Sequence, residues 1–138
     1  MVRLLLDTNA LLWLSSGSVR LGLRAGAAIE AAVSAGEAAF SAISVWETAM
    51  LVRKGRYGLD IPIDRWCADL IAAGLSEVPL DAAAAGQAAE LPDLHEDPAD
   101  RMIAATAMRL GAQLVTSDAR LIAWFAKDGR QPALDART

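Results

Sequence analysis

Four acidic residues, Asp7, Glu47, Asp100 and Asp118, each fall at or beside the start of a segment that reads as a helix. Taken singly, each has a structural explanation. Ser44-x-x-Glu47 has the form of a capping box, in which the Ser oxygen and the Glu carboxylate satisfy unpaired backbone donors. Asp97-Pro98-Ala99-Asp100 offers a capping Asp, a Pro at the first helical position and an acid in the first turn. Asp118 and Asp7 could cap the last and first helices. Such contacts contribute about 0.5–2 kcal/mol each.

Taken together the four allow chemistry. Asp7 directly follows the apolar run Leu4-Leu5-Leu6, and Asp118 lies within two residues of Leu114-Val115-Thr116. Apolar runs without polar alternation read as strands buried on both faces, as in a parallel sheet. If the two strands are neighbours, both carboxylates enter the crevice at the carboxyl ends of the strands, where open α/β sheets bind ligands. The helices opened at Ser44 and Asp97 could bring Glu47 and Asp100 to the same edge. Two unit charges 4 Å apart repel by about 4 kcal/mol at an effective dielectric near 20, so such a crevice needs protons or a cation. Oxygen ligands without clustered Cys or His suit Mg²⁺ or Mn²⁺ and match zinc poorly. Substrate phosphate typically completes the shell of a carboxylate-held Mg²⁺, and the chemistry that follows is metal-dependent phosphoryl transfer to water.

The elements needed to position these acids are legible. Helices are expected over 10–14, 21–35 (closed by Gly36), 44–54 (stopped at Gly55), 63–73, 82–90 (capped by Asp81) and 97–110, with a short one after Asp118. Strands are expected at 4–6, 38–42, 75–80 and 113–116. This alternation implies parallel strands joined by crossovers, hence a three-layer α/β domain with a central sheet of four to five strands. The whole chain, 1–138, reads as one domain, with a loose tail beyond about Asp128 where the composition turns polar with Gly and Pro. No GxxxxGK[ST] loop, GxGxxG fingerprint or G-x-S-x-G elbow is present.

Composition sets outer bounds. The 54% hydrophobic content over 138 residues favours a packed globule. The single Cys67 permits no intramolecular disulfide and reads as a buried helix residue. No membrane span or signal-peptide core is evident, which implies a cytoplasmic protein. The net charge of −4 argues against non-specific nucleic-acid binding by the whole surface. Local basic groups remain: Arg53-Lys54-Gly55-Arg56, and Arg20 with Arg24, each readable as a solvated face or as a phosphate contact. His95 reads as a solvated loop residue. Trp13, Trp46, Trp66 and Trp124 read as core or dimer packing.

Four blocks resemble, in order, the signatures of PIN-domain ribonucleases, and in detail the VapC toxins of toxin–antitoxin pairs. They are Leu5-Leu6-Asp7-Thr8-Asn9, Ser41-Ala42-Ile43-Ser44-Val45-Trp46-Glu47, Asp97 to Ala104, and Leu114-Val115-Thr116-Ser117-Asp118. The resemblance implies an acid site of Asp7, Glu47, Asp100 and Asp118 around Mg²⁺ or Mn²⁺, with Asp7 and Asp100 as direct ligands. Asn9 and Thr116 match supporting polar positions, while Asp97 fits a helix cap better than a ligand. It further implies RNA cleavage, a VapB-type antitoxin and a homodimer. The acidic pI of about 4.9 then requires RNA to be met by a local basic rim, for which Arg53, Lys54 and Arg56 are candidates, or by residues of a second subunit. Two other readings stay open: a catalytically silent PIN-fold binding module, and a phospho-acceptor receiver domain. The latter usually wants paired acids after the first strand and a late Lys, and the chain offers neither.

Overall fold

A computed structural model describes residues 1–138. Its centre is β1 (Leu4–Leu6), three leucines that are all buried. On one side β1 pairs with β2 (Ala38–Ser41), which pairs with β3 (Ser76–Val78). On the other it pairs with β4 (Gln113–Thr116), which pairs with β5 (Leu134–Asp135). All four pairings are parallel, and the order is β3-β2-β1-β4-β5. The chain therefore builds outward from β1 in one direction, then returns to build in the other. The reversal lies between β1 and β4, the kind of crevice where open α/β sheets place their ligands.

Alternation along the strands divides the interior in two. Leu4 and Leu6 join Ala38, Phe40, Val115 and Leu134 in one core, closed by Leu11 of α1 (Thr8–Ser16), Ile29 of α2 (Leu23–Ser34) and Trp66 of α4 (Ile63–Ala72). Leu5 joins Ala39 and Leu114 in the other. That core is closed by α5 (Ala82–Glu90), α6 (Pro98–Leu110) and α7 (Ala119–Phe125). Small residues such as Ala88, Ala104 and Ala105 let α5 and α6 approach closely, and Ile103, Trp124 and Phe125 fill the rest of that layer. No helix is long and apolar enough to cross a membrane.

The last helix and its neighbours match the expected spans closely, and the departures fall at helix starts and at the C-terminus. The helix α3 (Ala42–Arg53) begins two residues before Ser44, because Ser41 caps it by accepting from Ile43 N at 3.2 Å. Ser44 is therefore a buried residue of the first turn, and the capping-box reading of Ser44 and Glu47 does not hold. The expected loose tail is also corrected. Leu134 and Ala136 are buried, Ala136 N donates to Thr116 O at 2.8 Å, and Gly22 N donates to Ala136 O at 2.9 Å. Gly22 is where this return segment crosses: a Cβ there would lie 2.1 Å from the Thr138 carbonyl carbon. Polar composition misled the reading, since two buried side chains and a ladder of backbone bonds suffice to hold a short edge strand.

Because Leu134 packs against the β1 side of the core, Leu134→Ala should lower unfolding free energy by about 2 kcal/mol or more, measured by urea denaturation. A loose tail would leave stability within about 0.5 kcal/mol of the parent.

Candidate active site

Asp7 sits at the point where β1 ends and α1 begins. Its extended backbone makes it the N-cap, and Oδ1 accepts from Ala10 N at 2.8 Å. The other oxygen, Oδ2, accepts a hydrogen bond from Thr116 Oγ1 at the end of β4. Thr116 Oγ1 in turn accepts from Asp118 N at 3.0 Å, so one hydroxyl links the ends of β1 and β4. Asp7 is 5% exposed. Burial pushes its carboxyl up to about 7, against the bonds from Thr116 and Ala10, with the Asp100 and Glu47 charges adding to the rise. Asp7 thus caps α1 and, at the same time, lies among the charges of Asp100 and Glu47.

Glu47 reaches the same edge from α3. Its Oε1 accepts from Thr8 Oγ1, whose hydroxyl also lies 3.0 Å from Ser44 Oγ. Thr8 and Ser44 are buried between the two helices, and Thr48 bonds back to Ser44 O at 2.8 Å. This polar seam joins α1 to α3 and aims the carboxylate. Burial raises the Glu47 pKa, Thr8 opposes the rise, and the charges of Asp100 and Asp97 add to it.

The tightest grouping is Asp100, Asp118 and His95, each offering a ligand atom within 4.8 Å of the others. Asp100 lies in the first turn of α6, below its cap Asp97, which accepts from Asp100 N at 3.0 Å. His95 Nε2 is 2.7 Å from Asp100 Oδ2. Burial raises the Asp100 carboxyl, the His95 bond opposes this, and the neighbouring Asp97 and Asp118 charges add to it. Asp118 caps α7 through Arg120 N at 2.8 Å and pairs with the Arg120 guanidinium at 2.9 Å. Burial acts to raise its pKa, but the side-chain and backbone bonds from Arg120 outweigh it, and the Asp118 carboxyl lies below its ordinary value.

His95 is the residue that sequence reasoning missed. Its side chain is 14% exposed, not solvated, and Nδ1 is buried without a partner. Arg101 explains its position. Through its guanidinium Arg101 donates to the carbonyls of Ala88, Leu91, Leu94 and His95, clamping the loop before α6. Trp124 Nε1 ties the same loop at Pro92 O, 2.8 Å away. Asp100 and Arg101 are adjacent, so one turn of helix holds the loop by its backbone and the ring by its edge. The spacing His95-x4-Asp100-Arg101 was the available signal. Thr8 was missed too, although it stood inside a quoted motif.

The other expected residues divide. Thr116 reaches Asp7 directly. Asn9 is exposed and its side chain bonds to none of the acids. Arg53, Lys54 and Arg56 are exposed and unpaired at the far end of α3 from Glu47. Trp66 and Trp124 are core residues, but Trp46, next to Glu47, is 58% exposed, which corrects its reading as core within the chain.

The donor set fits a hard divalent cation. Asp7, Glu47 and Asp100 are each raised in pKa by burial and, less strongly, by neighbouring carboxylates, so ionising them together calls for added positive charge. The only thiol, Cys67, lies on α4 beside Glu77 at 3.8 Å, away from this edge. Carboxylate oxygens suit Mg²⁺ or Mn²⁺, and the one imidazole here is bonded to a carboxylate through Nε2.

Comparison with known proteins places the chain in a family. The PIN domain model matches residues 4–126. The chain is 40% identical over 122 residues to Ribonuclease VapC22 of Mycobacterium tuberculosis, spanning 88% of this chain and 91% of that protein. Among solved structures it resembles VapBC2 from Rickettsia felis bound to a promoter DNA fragment. That match has a TM-score of 0.65 and 19% identity, over 98% of each chain. It also resembles a toxin–antitoxin complex from Klebsiella pneumoniae, at a TM-score of 0.54 and 22% identity over 83% of this chain and 85% of that one.

A buried acid with a pKa near 7 carries a signature in metal-free protein. Between about 4, its unfolded value, and about 7, the folded state holds a proton that the unfolded state has lost, so stability falls as pH rises. Asp7→Asn removes the charge and keeps the shape. In EDTA it should melt at least about 4 °C above the parent at pH 8 and equal it near pH 4, by scanning calorimetry.

Proposed function

The chain belongs to the PIN-domain family, among the VapC ribonucleases, and from that premise we propose that it is a divalent-metal-dependent endoribonuclease acting as the toxin of a VapBC-type pair. What carries the reading is the meeting of Asp100, Asp118 and His95 within 4.8 Å at the edge where Asp7 and Glu47 also end, in a chain 40% identical to a named ribonuclease. Asp7, Asp100, Asp118 and Glu47 form the acid site, with Asp7 and Asp100 as direct ligands of Mg²⁺, or of Mn²⁺ in its place. The cation supplies Lewis-acid chemistry, activating water and taking up charge on the phosphodiester.

The protein's own groups do the positioning. Thr116 and Ala10 N fix both Asp7 oxygens at the end of β1. Thr8 turns Glu47 toward the crevice, where its carboxylate is placed to accept a proton from water. His95 holds Asp100 Oδ2 and so fixes the orientation of that carboxylate. Arg120 keeps Asp118 ionised. The exposed Arg53, Lys54 and Arg56 serve as RNA contacts on an otherwise acidic molecule. The toxin acts on cytoplasmic RNA as a homodimer, and a VapB-type antitoxin silences it by covering the acid site.

Purified chain should cleave structured RNA in Mg²⁺ or Mn²⁺ and stop in EDTA. Asp100→Asn should lower the cleavage rate at least about 100-fold with the fold intact by circular dichroism. Cleavage that survives both EDTA and this substitution would overturn the reading. His95→Ala should weaken Mn²⁺ binding about tenfold in calorimetric titration, and His95→Gln should weaken it less.

A further inference from the structure

A second concavity opens beside the acid site. It is about 350 Å³ and lies between α1 and the residues that follow α3. One wall carries Asn9, Trp13 and Ser16, spaced four and three residues apart on a single face of α1. The other carries Arg56 and Tyr57, and Arg20 closes it from the loop before α2. Asn9 stands two residues from Asp7 and one from Thr8, so the cleft begins at the catalytic edge. From there it follows α1 for roughly 10 Å, seven residues at 1.5 Å each.

Its chemistry is set by donors gathered in one concavity without an acid. No acid lines it, on a molecule of net charge −4. Five side chains there offer N–H or O–H groups with no partner inside the chain: the Asn9 amide, the Trp13 indole, the Tyr57 hydroxyl, and the guanidinium groups of Arg20 and Arg56. Elsewhere such groups divide. Trp66 and Trp124 spend their indole N–H internally, on Ser15 Oγ and Pro92 O, and Arg3, Arg120, Arg130 and Arg137 pair with acids, while Arg53 and Arg109 stand singly on open surface. A donor-rich cleft with two half-buried aromatic rings calls for a ligand rich in acceptors, anionic at intervals, and flat in between. Single-stranded RNA has that pattern: phosphates for the guanidiniums, base faces for the rings, base edges for the amide.

We propose that this cleft is an RNA subsite, holding the single strand that flanks the bond cut at the acid site, with Arg20 and Arg56 on phosphates and Trp13 and Tyr57 against bases. The proposal rests on the ribonuclease reading for its substrate, and the two can fail separately. An acidic peptide is the competing occupant. It would satisfy the guanidiniums but leave the rings and the amide without matched partners.

The test uses the full chain carrying Asp100→Asn, to suppress cleavage, and a fluorescein-labelled 12-nucleotide single-stranded RNA. Affinity is read by anisotropy across a salt series. Arg20→Gln and Arg56→Gln are surface changes and should each weaken binding about 3–10-fold, lowering the slope of log affinity against log salt by about 0.7 per phosphate lost. Arg109→Gln, an exposed cation at the end of α6 on the opposite face of the sheet, should change neither. Arginine variants that bind like their parent, with the same slope, would overturn the subsite while leaving wild-type cleavage untouched. Oligoglutamate that binds as tightly as RNA, and loses its hold in the same two variants, would overturn it in favour of a peptide. If RNA binding follows the arginines but the wild type cleaves nothing, the cleft stands as an RNA-binding surface and the ribonuclease reading falls.

Discussion

A carboxylate taken out of water at the end of the central strand is the constraint on which this molecule turns. Asp7 is buried because β1 is buried: three leucines with no solvent-facing side deliver the next residue into the interior. Two hydrogen bonds hold it there, one from the turn it caps and one from the strand beside it, and they do not fully offset the desolvation. The remaining cost is tolerable only with a proton or a cation nearby. That imbalance is what supports the proposed metal site, since a carboxylate satisfied internally would gain little from a cation.

The neighbouring acids are each positioned by a separate local device, and each device is ordinary. Asp118 is a helix cap held ionised by Arg120, Asp100 is a first-turn acid oriented by His95, and Glu47 is aimed by a buried hydroxyl. Helix N-termini favour negative charge, so the two devices at the starts of α6 and α7 also favour the ionised forms of Asp100 and Asp118. What assembles them is topology. The reversal of strand order between β1 and β4 brings the ends of the two central strands together, and Thr116 bridges them with a single hydroxyl.

Much of this was legible in the chain. Leu4–Leu6 and Gln113–Thr116 read as buried strands because nothing polar interrupts their middle, and Asp97-Pro98 marks the start of α6 unambiguously. Capping misled at Ser44, because Ser41 three residues earlier competes for the same role and wins by ending the strand. The tail misled because a two-residue strand has almost no sequence pattern; its stability comes from Thr116 O and Gly22 N, which are distant in the chain. His95 was hidden for a related reason. A lone histidine in a polar loop looks solvated until Arg101, on the following helix, is seen to fold that loop back over Asp100.

The central claim is that Asp7, Asp100 and Asp118 share one divalent ion. Crystals grown with Mn²⁺ and measured at the manganese absorption edge test it most directly. The expected result is an anomalous peak at the carboxyl ends of β1 and β4, within about 2.3 Å of oxygens from Asp7 and Asp100. A fully loaded crystal with no peak there, or with manganese held only at other surfaces, would contradict it.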